Sequence, residues 1–225
     1  GVKFLFRTTL RRHDLVAEIF YVGEPQKLPP VMSREEVAAL LVAAKALKAK
    51  AMLSVAYGCG LRAGEVCRLT VGDIDSGQGI IRIIQSKGRK DRHVLLSDNL
   101  LELLRRYWPE RSKQHDAGVR PEDRYLFPGR AGPITTRQFN RMFHEARQRA
   151  GITKPVNIRT LRHSFATHLL EAGVDVRVIQ ALLGHANPLS TARYTRVATS
   201  LIARLSSPID LLDAPPDRED GETKT

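Results

Sequence analysis

Cysteine is scarce in this chain. Cys59 and Cys67 are the only two among 225 residues; they form no CxxC pair, and no matching Cys/His set surrounds them. A disulfide framework and a structural zinc site are thereby excluded as the basis of the fold, and a reducing interior is the natural compartment. Both cysteines lie in helical, apolar context and read as small buried side chains. Long hydrophobic runs are also missing. None could cross a bilayer, and no signal-peptide pattern opens the chain, so a cytoplasmic setting without a membrane partner is expected. There is no internal repeat, no GxxxxGK[ST] phosphate loop that would imply a nucleotide cofactor, and no evident acidic cluster for a metal such as magnesium.

Acidic side chains are outnumbered, 24 Asp and Glu against 36 Lys and Arg, for a formal charge of +12. A balance that basic favours a polyanionic partner, most simply nucleic acid, although net charge alone locates no patch and a merely solubilising role is the alternative. The 42% share of hydrophobic residues rules out wholesale disorder and supports a real core.

Four regions are expected. Residues 1–21 open with GVKFLFRTTLRR, apolar and basic residues interleaved without a helix-start signal, and read as the remnant of an upstream helical domain. Residues 22–30 carry prolines and a glycine and read as a linker. Residues 31–212 form the main domain. Residues 213–225 are polar and acidic with two prolines, the composition of a disordered tail.

Within the main domain Ser33 and Glu36 make a capping box that opens a helix over 34–46. Helices follow over about 50–58, with Gly60 as its breaker, and 63–69. Two β-branched runs, GIIRII at 79–84 and RHVLL at 92–96, flank a polar stretch and predict a hairpin. Helical patterns resume at Asp98 and continue over 137–150, 159–172 and 175–183, with a short helix holding Tyr194. A charged, Pro- and Gly-containing loop spans 114–133. The fold class is mainly α with one small antiparallel sheet.

Several segments could carry chemistry. Arg62 follows the Gly60 break at a helix start, where free N–H groups and the dipole favour an anion; a salt bridge to Glu65 is the plainer alternative. Lys87, Arg89, Lys90 and Arg92 crowd a hairpin tip that suits phosphate contacts, or is simply a solvated turn. Arg159 and Arg162 stand at i and i+3 on one helix face, while Leu161, Phe165 and Leu169 form the buried face. His163, His168, His185 and Tyr194 are each weak signals alone, and His168 reads as a core or helix-surface histidine.

Together, the run LRHSFATHLL at 161–170, LLGH at 182–185, Tyr194-Thr195, GLRAGE at 60–65 and SKG at 86–88 closely resembles the signature of the tyrosine recombinase (phage integrase) family. The resemblance covers about residues 30–205, with the blocks in order and Tyr194 nine residues after His185. It implies the DNA breaking-rejoining catalytic-domain fold, with 1–21 as the end of a core-binding domain. It also implies a site-specific recombinase that works without cofactor or metal. Tyr194 would attack the scissile phosphate to leave a 3′-phosphotyrosyl bond. Arg62 and Arg162 would clamp the non-bridging oxygens, Lys87 would protonate the leaving 5′-oxygen, His185 would donate to the phosphate, and Glu65 would support Arg62. Arg89, Lys90, Arg92 and His163 would contact DNA. The implied partner is double-stranded DNA, of a bacterial-type chromosome or mobile element. Homotetramers would form on paired sites, with monomers or weak self-association otherwise. The segment 199–212 could dock on a neighbour or pack on its own domain. A type IB topoisomerase-like enzyme and a catalytically impaired DNA-binding accessory protein are the alternatives.

One position departs from the family pattern: Arg159 stands where a histidine, sometimes a lysine, is usual three residues before the second arginine. An arginine cannot serve as the base for the tyrosine proton, but it can add charge at the phosphate and lower the Tyr194 pKa by proximity. In a site built around arginine, Arg159→His slows strand cleavage; a large gain in the measured cleavage rate would instead mark a partly decayed enzyme.

Overall fold

The computed structural model describes residues 30–84, 91–184 and 207–212. The expected remnant at 1–21, residues 22–29 of the linker, the hairpin tip with Lys87, Arg89 and Lys90, His185, the short helix expected to hold Tyr194, and the tail lie outside the described residues.

The described chain builds seven helices and one sheet, named here in order: α1 (Arg34–Ala43), α2 (Leu47–Gly58), α3 (Ala63–Arg68), β1 (Ile74–Asp75), β2 (Ile80–Ile83), β3 (Arg92–Leu95), α4 (Asp98–Tyr107), α5 (Thr136–Arg149), α6 (Ile158–Glu171) and α7 (Val176–Leu183). None of the described helices is long and apolar enough to cross a membrane. The centre is α2. It is apolar on every side, and Ala51 through Gly58 are all buried, the pattern of a helix enclosed by others. It packs against α1, α3, α4, α5 and α6.

The first helix is shorter than its sequence suggests. Ser33 caps it through a reciprocal pair with Glu36, as expected, but it ends at Ala43, and α2 begins at Leu47 rather than near Lys50. The intervening residues, all good helix formers, contain no Gly or Pro. Packing therefore makes the break: Leu40, Leu41 and Ala44 must face the core while the chain turns to send α2 through it.

The expected hairpin forms, with Ile80 opposite Leu95 and Ile83 opposite Arg92. A third strand, β1, extends it by pairing Ile74 with Ile81; two residues are too few to show a period in sequence. Residues 111–133 form the long loop. Arg111, buried at its base, pairs with Asp116 and donates to the Tyr125 carbonyl. Residues 207–212 lie on their own domain, where the Ser207 hydroxyl donates to the Gly58 carbonyl at 2.9 Å.

Helix α6 carries the second arginine block, and its inward stripe is the predicted one. Leu161, Phe165 and Leu169 are all buried, each contributing about 1.5–3 kcal/mol of burial. Polar groups pin the same helix. The Met32 amide donates to Ser164 Oγ at 2.9 Å, and that hydroxyl donates to the Thr160 carbonyl. His168, placed in the core as one of its two readings held, meets the Tyr57 hydroxyl at 2.8 Å through Nδ1. Burial lowers the His168 pKa, and Arg34 adds to this against opposing contributions from Glu171, Glu35 and Met32. Burial also pushes the Tyr57 phenol far up, so the pair is neutral, with the phenol donating.

Two outcomes follow. Tyr57→Phe strands a buried ring nitrogen and is expected to cost about 1–3 kcal/mol in chemical denaturation. His168 and the half-buried His163 both have lowered pKa values, so below the ordinary histidine value of 6.5 the unfolded chain binds more protons than the folded one. Stability is complete above that pH and declines as pH falls through it; a denaturation midpoint that stayed flat on acidification would contradict this.

Candidate active site

Three guanidinium groups and one carboxylate converge where α3, β3, α6 and α7 meet. The chain reaches this point from the end of α2. Gly60, with φ +60°, turns out of the helix, and a Cβ there would stand 2.4 Å from the Phe165 ring, so only glycine lets α2 end against α6. Two residues later Arg62 is the N-cap of α3.

Glu65 lies in the first turn of α3 and reaches back. It accepts from the Arg62 amide at 2.8 Å and from Arg62 Nη1 at 2.7 Å. The plainer of the two readings of Arg62 is thus present: Glu65, not a free anion, takes the N-cap amide. Arg62 nevertheless keeps 37% of its side chain exposed and so still faces solvent.

Arg92 approaches Glu65 from β3. Its Nη1 and Nη2 donate to the two carboxylate oxygens at 3.1 and 2.7 Å, and its Nε donates to the Leu182 carbonyl at 2.9 Å. This corrects its expected place at a DNA-facing tip. Only 6% of the side chain is exposed, and its donors are engaged inside the protein. The signal was in the strand. Side chains alternate across a sheet, so Arg92 shares a face with the buried Val94.

Arg162 enters from α6 and is also buried. Nη1 donates to the Gly60 carbonyl at 2.8 Å and Nη2 to the Leu183 carbonyl at 2.5 Å. It thereby joins the first arginine block to the end of α7, next to the residue that precedes His185. The carbonyls of Leu182 and Leu183 belong to the last turn of α7, where no intrahelical donor remains, and two cations at a helix C-terminus are electrostatically favoured. Backbone acceptors have no signature in sequence, so these contacts were not foreseeable.

The protonation states follow from this packing. Burial pushes the Glu65 pKa up, but the hydrogen bond and charge of Arg92, with bonds from the Arg62 amide and side chain, overcome it and hold Glu65 at about 2. Burial, then the charges of Arg62 and Arg92, push Arg162 down to about 10 despite Glu65, so it remains charged at neutral pH. Three cations against one carboxylate leave the pocket with unbalanced positive charge, which an entering phosphodiester would satisfy.

Arg159 lies on the exposed side of α6, and its amide is held by the Asn157 cap. It does not join the buried cluster, though its charge bears on His163 one turn on, whose pKa is lowered first by burial, then by Arg159 and Arg162. Lys87, Arg89, Lys90, His185 and Tyr194 lie outside the described residues. Cys59 and Cys67 are buried and free. Among the described residues no group of three or more His, Cys, Asp or Glu side chains is placed to hold a metal ion.

A helical domain that gathers distant arginines around one pocket beside a small antiparallel sheet is the tyrosine recombinase catalytic-domain fold. Residues 30–200 match the phage integrase family, and the chain belongs to it. The protein y4qK of Sinorhizobium fredii, named among the integrase/recombinases, is 44% identical over 218 residues, covering 96% of this chain and 68% of that protein. The tyrosine recombinase XerD of Pseudomonas putida is 39% identical over 218 residues, covering 91% and 71%. In structure, the XerA recombinase superposes with a TM-score of 0.64 at 29% identity, over 90% of this chain and 80% of that one. The chain is accordingly a site-specific DNA recombinase, an enzyme that cleaves and rejoins DNA strands.

Replacing Glu65 by Gln removes the carboxylate that faces Arg92 among the described residues, and a buried cation left uncompensated is expected to cost about 3–5 kcal/mol in chemical denaturation. In the wild-type chain the folded pKa lies below the ordinary glutamate value of 4.5. The stability contributed by Glu65 is therefore full above that value and lost as pH falls toward about 2. Glu65→Gln should flatten this acid limb, and an unchanged limb would show that Glu65 does not set it.

Proposed function

We propose that strand cleavage runs through Tyr194, with Arg62 and Arg162 binding the scissile phosphate, Lys87 as general acid and His185 as a further hydrogen-bond donor to the phosphate. The observation that carries this reading is the double anchoring of Arg162. By holding Gly60 and Leu183 together, it brings the Arg62 block and the chain leading into His185 to a single cationic pocket.

The step is a phosphoryl transfer without a cofactor. The Tyr194 oxygen forms a bond to phosphorus, and the bond from phosphorus to the 5′-oxygen breaks. Lys87 gives that oxygen its proton, while the phenolic proton passes to water or to the phosphate. Negative charge grows on the non-bridging oxygens, and guanidinium groups already fixed in place stabilise it without reorganising. The 3′-phosphotyrosyl bond conserves the energy of the broken phosphodiester, so reversal with a second 5′-hydroxyl rejoins strands. Arg159, on the exposed side of α6, adds charge near the phosphate and favours the phenolate.

Glu65 supports Arg62 rather than touching DNA. Arg89, Lys90 and His163 contact the DNA backbone. Binding therefore weakens steeply with salt. The active assembly is a homotetramer on paired double-stranded sites, with monomers or weak self-association off DNA.

Mixing the full chain with supercoiled plasmid DNA and quenching in SDS tests the chemistry. Wild type leaves a covalent protein–DNA adduct, Tyr194→Phe leaves none, and Arg62→Ala or Arg162→Ala slows adduct formation by roughly 10²–10³. An adduct that persisted in Tyr194→Phe would assign the nucleophile elsewhere.

A further inference from the structure

We propose that Arg92 is a positioning residue for the recombinase reaction. It holds the start of β3, the Arg62–Glu65 pair and the last turn of α7 in one register. The inference rests on the roles given above to Tyr194, Lys87 and His185, and adds a residue that touches none of the reacting atoms.

Three separate elements end on this one side chain. Arg92 is the first residue of β3, five positions after Lys87, so it fixes one end of the segment bearing the general acid. Its planar fork takes both oxygens of Glu65, the same carboxylate that holds Arg62. Its Nε takes the Leu182 carbonyl at the end of α7. Arg162 takes the next carbonyl, so two guanidinium groups grip the last turn of α7 before the chain runs on to His185.

The fit allows little substitution. Gly184, with φ +64°, backs onto Arg92, and a Cβ at Gly184 would stand 2.9 Å from Arg92 Cδ. A lysine presents a point charge on a flexible stem and cannot hold two carboxylate oxygens and a carbonyl at once. A bidentate arginine that is almost wholly buried serves geometry where an apolar side chain would serve stability as well or better. Losing it frees the acid, the first arginine and the α7 exit to move separately, and a misplacement of about 1 Å at a reacting group slows chemistry on the order of 10²-fold.

The test uses the full chain and supercoiled plasmid DNA. It compares the rate of SDS-stable adduct formation at saturating protein with retention of the plasmid on a filter. Arg92→Lys is expected to slow adduct formation about 10-fold and Arg92→Gln about 100-fold, with plasmid affinity within about 3-fold of wild type. Gly184→Ala, which crowds the same guanidinium from behind, should resemble Arg92→Lys. The double variant should be no slower than the slower single, because both changes break one arrangement. Adduct rates equal to wild type in Arg92→Lys and Gly184→Ala would overturn the proposal. So would rates that fall in step with affinity and return on cooling, the mark of simple destabilisation. A wild-type chain that forms no adduct would overturn the Tyr194 reading instead, and this inference with it.

Discussion

A single carboxylate must stay ionised among cations that would otherwise repel one another, and the site is arranged around that requirement. Glu65 accepts from Arg62 on one side and from both prongs of Arg92 on the other. Without it, Arg92 would be an uncompensated buried charge beside Arg162, a strongly destabilising combination. With it, two arginines separated in the chain by α3, β1 and β2 become rigid neighbours. The carboxylate neutralises only part of the charge, and the pocket keeps a positive remainder. The interaction that stabilises the fold locally thus also sets the field at the pocket.

Helix ends supply the other half of the arrangement. Gly60 lies just past the end of α2 and Gly184 just past the end of α7, both in the left-handed conformation, and each turn leaves a carbonyl without a helical donor. Arg162 spans the two ends, so a backbone debt at two places is met by one charged side chain. The central position of α2 makes this possible: it is enclosed on all sides and delivers its C-terminus to the middle of the domain. Hydrogen bonds within the protein keep Arg162 in this orientation, so its charge is fixed in place.

Much of this was legible in the residues. The capping box at Ser33 and Glu36, the hairpin, the inward stripe of α6 and the two buried cysteines all follow from local patterns, whose period and end signals are set by backbone geometry. Arg62, Glu65 and Arg162 were identified from their motif blocks. Arg92 was misread because charge at a hairpin was given more weight than strand alternation, although its place two residues before Val94 already put it on the buried face. The break between α1 and α2 and the two-residue strand β1 left no usable trace, since the one joins residues of high helix propensity and the other is shorter than any repeat.

The chemistry of the side chains, their order along the chain and the family they belong to are properties of the sequence, because motif spacing and residue type are local quantities. Which carbonyl each arginine grips, which cation is buried and which faces solvent, and how far Glu65 is driven from its usual pKa are not. Those depend on groups 21 to 102 residues apart meeting at one point, and on burial that turns weak aqueous attractions into strong ones.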